Sequence, residues 1–182
     1  MRLETDRTVL SLLHERDAQA IAEYYRVNAA HLDPWEPARP AHFHDAKSWR
    51  QRARKAQLDA REGTSLRLVA RLKEANEIIG VCNFTNVQRG PAQSAYLGYS
   101  IAAAYQRIGL MSEIVDAGCT YMLGEAGLHR IQAACIPKNA RSAKLLEKLG
   151  FRMIGRAEKY LQIKGTWMDH NLWQRLAPQI TV

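Results

Sequence analysis

The chain of 182 residues is predicted to form a mixed α/β (α+β) fold, a mixed sheet with helices on its faces. Two observations predict it. Runs with the period-two alternation of strands recur near the start of the chain and again after its first third. Stretches with apolar residues at helical offsets fall between them. Glycine and proline punctuate the joins, which gives the order β-α-α-β-β-β-α-β-α-β-β, seven strands and four helices.

Asp6 to Leu13 reads as the first strand, carried by Val9, Leu10, Leu12 and Leu13. Asp17 is placed to cap a helix that shows Ala18, Ile21, Ala22 and Tyr25 on one side. In Asp33-Pro34-Trp35-Glu36-Pro37, two prolines bracket a stiff, non-helical loop. A second helix runs from about Asp45 to Arg61, with a buried stripe of Trp49, Ala53, Ala56 and Ala60 and otherwise basic faces. Leu66, Leu68, Ala70 and Leu72 alternate with Arg67, Val69, Arg71 and Lys73, the pattern of a strand with one wet face. The chain turns at Glu74 to Glu77, returns over Ile78 to Val87, breaks at Gly90-Pro91 and completes a meander over Ser94 to Ala102.

Gly109 opens a helix that buries Leu110, Ile114, Ala117 and Tyr121, and Gly127 can end it. His129 to Ile136 is a short strand stopped by Pro137. Asn139 starts a helix carrying Leu145, Leu146 and Leu149. Gly150-Phe151 leads into a strand to about Ile163, Lys164-Gly165 turns, and Thr166 to Trp173 is the last strand. With no repeat and no linker, residues 1–182 are expected to be one domain.

A hydrophobic content of 47% is enough for a sizeable core, and the net charge of +8 allows an anionic ligand. Cys82, Cys119 and Cys135 are odd in number and have no C-x-x-C spacing. They read as small buried residues, reduced in a cytoplasmic protein. The first residues carry acids and arginines unlike a signal peptide, and no apolar run approaches the ~18 residues that span a bilayer. A soluble chain with no membrane association is expected.

The most informative stretch is Tyr96-Leu97-Gly98-Tyr99-Ser100-Ile101 followed by Gln106-Arg107-Ile108-Gly109-Leu110-Met111. A strand, a polar turn and a helix opened by glycine aim unpaired backbone N–H groups at one spot. The helix dipole adds about half a positive charge there. Such a corner suits a phosphate or a diphosphate.

Two blocks resemble the GNAT superfamily of acetyl-CoA-dependent N-acetyltransferases, a likeness that runs over almost the whole chain. Gln106-x-x-Gly109 is similar to its diphosphate loop. Asn139-Ala140-Arg141-Ser142-Ala143-Lys144-Leu145-Leu146-Glu147-Lys148-Leu149-Gly150-Phe151 is similar to its N-x-x-S-x-x-L-x-E-K-x-G-F block. Within the superfamily, Pro34-Trp35-Glu36-Pro37, Ile78-Ile79-Gly80-Val81, the Tyr96–Ile101 run, Gly109-Leu110-Met111 and Asp169-His170 resemble the RimJ-type ribosomal-protein-alanine N-acetyltransferases. Arg107 departs from the glycine usual there. Its Cβ makes positive φ costly, whereas its guanidinium suits a diphosphate.

The resemblance implies a mainly antiparallel sheet of about seven strands and about four helices, splayed between the fourth and fifth strands. It also implies acetyl-CoA as co-substrate. Its pantetheine arm would pair with the Tyr99, Ser100 and Ile101 edge, its diphosphate would lie on Gln106, Arg107, Ile108, Gly109, Leu110 and Met111, and Asn139 would contact the pantetheine region. Ser142 shares a helix face with Leu145, Leu146 and Leu149, and is the candidate to protonate the leaving thiolate. As a plain alternative, Ser142 and Asn139 serve only the helix start. For a base, Glu158 precedes Tyr160-Leu161 with Lys159 intervening, and Glu36 sits in the proline loop; surface ion pairing is the plain reading of both.

An α-amine has a pKa of about 7.7–8.0 and a lysine amine about 10.4, so near pH 7.5 roughly a third of α-amines are neutral but only about one lysine in a thousand. That gap, about 3.5 kcal/mol, favours α-amino acceptors for a site without an obvious base. The implied acceptor is thus a protein N-terminus, of a ribosomal protein by resemblance. A small amine (a polyamine, amino acid or antibiotic) and a non-catalytic acetyl-CoA-binding module are the alternatives. His129 reads as structural. Asp169 and His170 are adjacent on a strand, point to opposite faces and form no dyad. His42, His44 and Asp45 lack a fourth ligand, so no metal is expected. The basic run Arg50, Arg52, Arg54 and Lys55 reads first as a solvated helix face and second as a dock for ribosomal RNA, but it holds no aromatic platform. Trp35, Trp49, Trp167 and Trp173 read as core or pocket wall. Oligomeric state is left open.

Overall fold

The computed structural model describes residues 1–178. One sheet of eight strands runs through it in the order β1-β2-β3-β4-β5-β6-β8-β7. The strands are β1 (Arg2–Glu4), β2 (Thr8–Leu12), β3 (Leu66–Leu72), β4 (Ile78–Gln88), β5 (Ser94–Ile101), β6 (Arg130–Cys135), β7 (Arg152–Ile163) and β8 (Thr166–Leu176). Every neighbouring pair is antiparallel except β5 and β6. Five helices accompany them: α1 (Ala18–Val27), α2 (Ala29–Leu32), α3 (Ala46–Arg61), α4 (Leu110–Leu123) and α5 (Ala140–Lys148).

The eighth strand and the fifth helix lie outside the sequence expectation because each is a single short piece, three and four residues long. Such pieces carry no periodicity. Asp17 does not cap α1. Its carboxylate accepts from the His14 amide at 2.8 Å and pairs with Arg71 at 2.8 Å, both side chains being largely buried. The second face of β3 is thus only partly wet: Arg67 is exposed, Val69 is buried in the core with α1 and α3, and Arg71 is half-buried in its pair with Asp17. Asp33–Trp35 forms one 3₁₀ turn instead of an open loop, with Pro34 in its first positions, where a missing N–H is harmless. Helix α4 stops at Gly124, three residues before Gly127. A Cβ at Gly124 would stand 2.9 Å from the Thr120 carbonyl oxygen, so glycine permits the exit there.

Two apolar cores sit on opposite faces of the sheet. On one face, Leu110, Ile114, Val115 and Cys119 of α4 and Leu146 of α5 meet Cys82, Phe84, Ala95, Leu97, Ile131 and Ala133. On the other, Ile21 and Tyr25 of α1 and Trp49, Ala53 and Ala56 of α3 cover Val69, Ile78 and Val81. Tyr25 stacks on Trp49 at 5.2 Å. The two faces communicate at one place. The parallel β5–β6 ladder runs only from Ser94/Arg130 to Leu97/Ala133, while β5 continues to Ile101 and β6 to Cys135. From Gly98 to Ile101, β5 has β4 on one side and no strand on the other.

Gly80 of β4 pairs with Ile101, and a Cβ there would lie 2.7 Å from the Ser100 backbone oxygen. Gly80→Ala should therefore destabilise the fold by about 1–3 kcal/mol in urea unfolding, because the close contact is with backbone that cannot swing away.

Candidate active site

A cavity of about 700 Å³ passes through the gap between β5 and β6. At one end it is lined by Arg107, Gly109, Arg141, Lys144 and Lys148, at the other by Tyr25, Leu32, Trp35, Glu36, Asn83 and His170. The first end is cationic. The second mixes aromatic and apolar walls with Asn83, His170 and Glu36, its one carboxylate among the described residues.

The cationic end is built on the start of α4. The amides from Arg107 to Met111 have no acceptor within the protein among the described residues, and they surround the helix N-terminus. Gly109 sits at φ 85° and Arg107 at φ 63°, so the turn uses left-handed backbone at both positions. A non-glycine residue held there costs about 1–2 kcal/mol. The loop is braced from behind by Arg7, whose guanidinium donates to the Ile108 carbonyl and to Glu113, both at 2.9 Å. Partial burial alone would raise the Glu113 carboxyl, but bonds from Thr5 and from the Arg7 amide and guanidinium hold it below the usual range. The one acid in α4's first turn is thereby neutralised beside a site for an anion. In front of the loop, Gln106 accepts from Arg141 and its amide nitrogen meets His31 Nε2, each at 2.6 Å.

In the gap itself, the Tyr99 hydroxyl lies 2.7 Å from Ser142 Oγ. Asn139 caps α5 by accepting from the Ser142 amide at 3.2 Å, which fixes the serine at the mouth of the splay. Burial pushes the Tyr99 phenol well above its usual value, so both groups stay protonated as donors. Cys135, at the end of β6, also lines the cavity; burial raises its thiol, and burial pushes Cys119 up to about 12. Thiols held protonated are poor nucleophiles.

On the far side, Ser100 Oγ bonds the Tyr24 hydroxyl at 2.9 Å. Glu36 is held at 2.6 Å by Arg39, a mostly buried guanidinium over the Tyr25 and Phe43 rings at 4.7 and 4.9 Å. His170 is 3% exposed, and its Nδ1 lies 2.9 Å from the Met168 carbonyl oxygen. Asp169 points the other way, where the Lys159 amide and the Arg156 guanidinium hold its carboxyl below the usual range.

The structure thus gathers Tyr99, Ser100, Ile101, Gln106, Arg107, Gly109, Met111, Asn139 and Ser142 around one cavity. Ile108 is exposed beside it, and Leu110 is buried beneath it. Glu158 does not join them. It is exposed on β7 and does not line the cavity, because three residues, Glu158 to Tyr160, bulge opposite Asp169 and put Lys159 at φ 47°. Of the basic run, Arg54 pairs with Glu15, Lys55 with Asp59, and Arg52 lies over Phe43 and Trp49. Among the described residues no three His, Cys, Asp or Glu side chains gather as a metal site, and no helix is long and apolar enough to cross a membrane. Three features escaped sequence reasoning: the Tyr99 hydroxyl, the buried His170 and the Arg7 brace. The first two could have been found by strand parity had the splay's register been known. The third joins residues 106 apart and left no local signal.

Comparison with known proteins agrees with this geometry. The family described as "Acetyltransferase (GNAT) domain" matches residues 7–152. The chain is 41% identical over 181 residues to the [ribosomal protein uS5]-alanine N-acetyltransferase of Escherichia coli K12, covering 100% of this chain and 93% of that one. The crystal structure of the ribosomal-protein-S5-alanine acetyltransferase of Vibrio fischeri superposes with a TM-score of 0.95 at 35% identity, covering all of both chains. Mycobacterium smegmatis RimJ in complex with CoA-disulfide superposes at 0.90 with 29% identity, covering 100% of this chain and 88% of that one.

If Arg107 strains its turn, Arg107→Gly should be more stable than Arg107→Ala by about 1 kcal/mol, read from urea midpoints, since both variants lose the guanidinium and only glycine relaxes the backbone.

Proposed function

The chain belongs to the acetyltransferase (GNAT) family and is an acetyl-CoA-dependent N-acetyltransferase; from that premise we propose that its acceptor is the N-terminal α-amino group of a ribosomal protein, an alanine of a uS5-type protein. What supports the acceptor is the full-length likeness to enzymes named for that reaction, together with the character of the cavity's far end. A polyamine pocket needs several free carboxylates to hold several ammonium groups. Here Glu36 is the one carboxylate, and Arg39 already occupies it. An aromatic, apolar trough instead suits a short peptide ending in a small residue. An α-amine is also the acceptor that needs least help in losing its proton.

Acetyl-CoA would lie with its diphosphate on the amides of Arg107 to Met111 and its pantetheine arm along the unpaired Gly98–Ile101 edge. The thioester would then reach the gap beside Ser142. The Ser142 hydroxyl, in contact with Tyr99, supplies a proton to the departing sulfur. We read the chain as one catalytic domain, supported by a single sheet that joins Arg2 to Leu176. A cytoplasmic setting is supported by three buried, unpaired cysteines. Little supports a ribosomal-RNA dock on α3, since Arg54 and Lys55 have carboxylate partners and Arg52 lies over Phe43 and Trp49.

Incubation with acetyl-CoA and a panel of peptides and free amines, read by mass spectrometry, should show acetylation of an Ala-initiated uS5-type peptide at its α-nitrogen. Acetylation of spermidine alone would overturn the acceptor. Ser142→Ala should lower kcat about 100-fold while the Kd for CoA stays within about twofold, and an unchanged kcat would remove its role.

A further inference from the structure

His170 has no part in the chemistry so far, yet it is a buried imidazole at the acceptor end of the cavity. Its place follows from register. Ala134 lines the cavity and pairs with Leu172; His170 lies two residues from Leu172, so it shares that face. This is the face of α1 and α3, opposite the one that carries Tyr99 and Ser142. His170 therefore looks at the gap from the side where the amine must arrive.

Its tautomer is set by one contact. A carbonyl oxygen only accepts, so the 2.9 Å bond to Met168 places the neutral ring's proton on Nδ1. Nε2 is left with its lone pair, and among the described residues it has no protein partner. The other candidate groups are engaged: His31, which also lines the cavity, has its Nε2 2.6 Å from the Gln106 amide nitrogen. Tyr160 packs against the ring at 5.7 Å between centroids, with a phenol raised by burial and by Tyr96. Asp169 is turned away toward Arg156 and the Lys159 amide. Glu36, across the cavity, has its oxygen on Arg39. The cations Arg107, Arg141, Lys144 and Lys148 stand at the opposite end.

We propose that His170 is the general base of the reaction, taking the proton from the acceptor nitrogen at Nε2. The inference rests on the acetyl-transfer reading above. The amine enters neutral, and its nitrogen bonds the acetyl carbon as the carbon–sulfur bond breaks. The nitrogen's proton passes to Nε2, and the Ser142 hydroxyl gives a proton to the sulfur. After release the proton on His170 returns to solvent and Ser142 regains one, so the sum is amine plus thioester to amide plus thiol. The neutral ring, held at Nδ1 by the Met168 carbonyl, presents the Nε2 lone pair for this step.

The test uses the full chain and whichever amine the wild type acetylates, so a wrong acceptor is detected by the panel before His170 is judged. His170→Ala and His170→Gln should each lower kcat about 100-fold or more, with acceptor KM and CoA Kd within about threefold. On the acid side the wild-type kcat/KM should steepen toward two decades per pH unit, one from the amine and one from the imidazole. The variants should fall by one. Free imidazole should restore part of the rate to His170→Ala. If that variant does not fold, His170→Gln, whose amide can still donate to Met168, decides by the same pH profile. An unchanged kcat, a loss confined to KM, or a folded variant with the wild-type slope would overturn the proposal.

Discussion

The structure depends on one interruption. Strands β5 and β6 run parallel for four paired residues and then separate, and the sheet acquires a hole lined by unpaired backbone. A sheet normally divides a protein into two faces that do not meet. Here the two faces meet at the interruption, with Tyr99 and Ser142 on one side and Ser100 and His170 on the other. The rest of the fold keeps that hole open. Phe84, Ile114 and Ile131 pack one face, Ile21, Trp49 and Val69 the other, and both cores end at its rim.

Charge is sorted along the same passage. The amides of α4's first turn and the cations of α5 make one end attractive to a polyanion. Arg7 removes the one opposing charge, Glu113, and also ties the loop to the β1–β2 turn. Arg107 combines an unfavourable backbone with a favourable side chain. Its φ of 63° is strained for any residue but glycine, and the cationic end of the cavity gives its guanidinium a use.

Much of this was legible in the sequence, and for identifiable reasons. Strands of seven or more residues and helices of nine or more showed their periods, so the order of the main elements could be read directly. Ser142 could be placed because helical offsets from Leu145 and Leu149 fix its face. Whether Arg107 must take left-handed backbone could be asked of the sequence and answered only by coordinates. What stayed hidden was whatever depends on register between distant strands. Glu158 looked well placed by counting, but a three-residue bulge makes counting by twos fail. His170 looked idle beside Asp169, since nothing local says that one of the two faces leads to a cavity. Asp17 looked like a cap because its partner Arg71 is 54 residues away.

The passage is open to the two faces of the sheet, and this bears on the order of events. In the reading proposed above, donor and acceptor approach from opposite directions, so neither has to leave before the other docks. The Cys135 thiol, raised by burial, is a poor place to hold an acetyl group, and direct transfer fits the proposed reading. In that reading a bulky acceptor presents its first residues at one doorway while spent coenzyme is exchanged at the other. Such an enzyme could stay seated on a bulky client through repeated attempts.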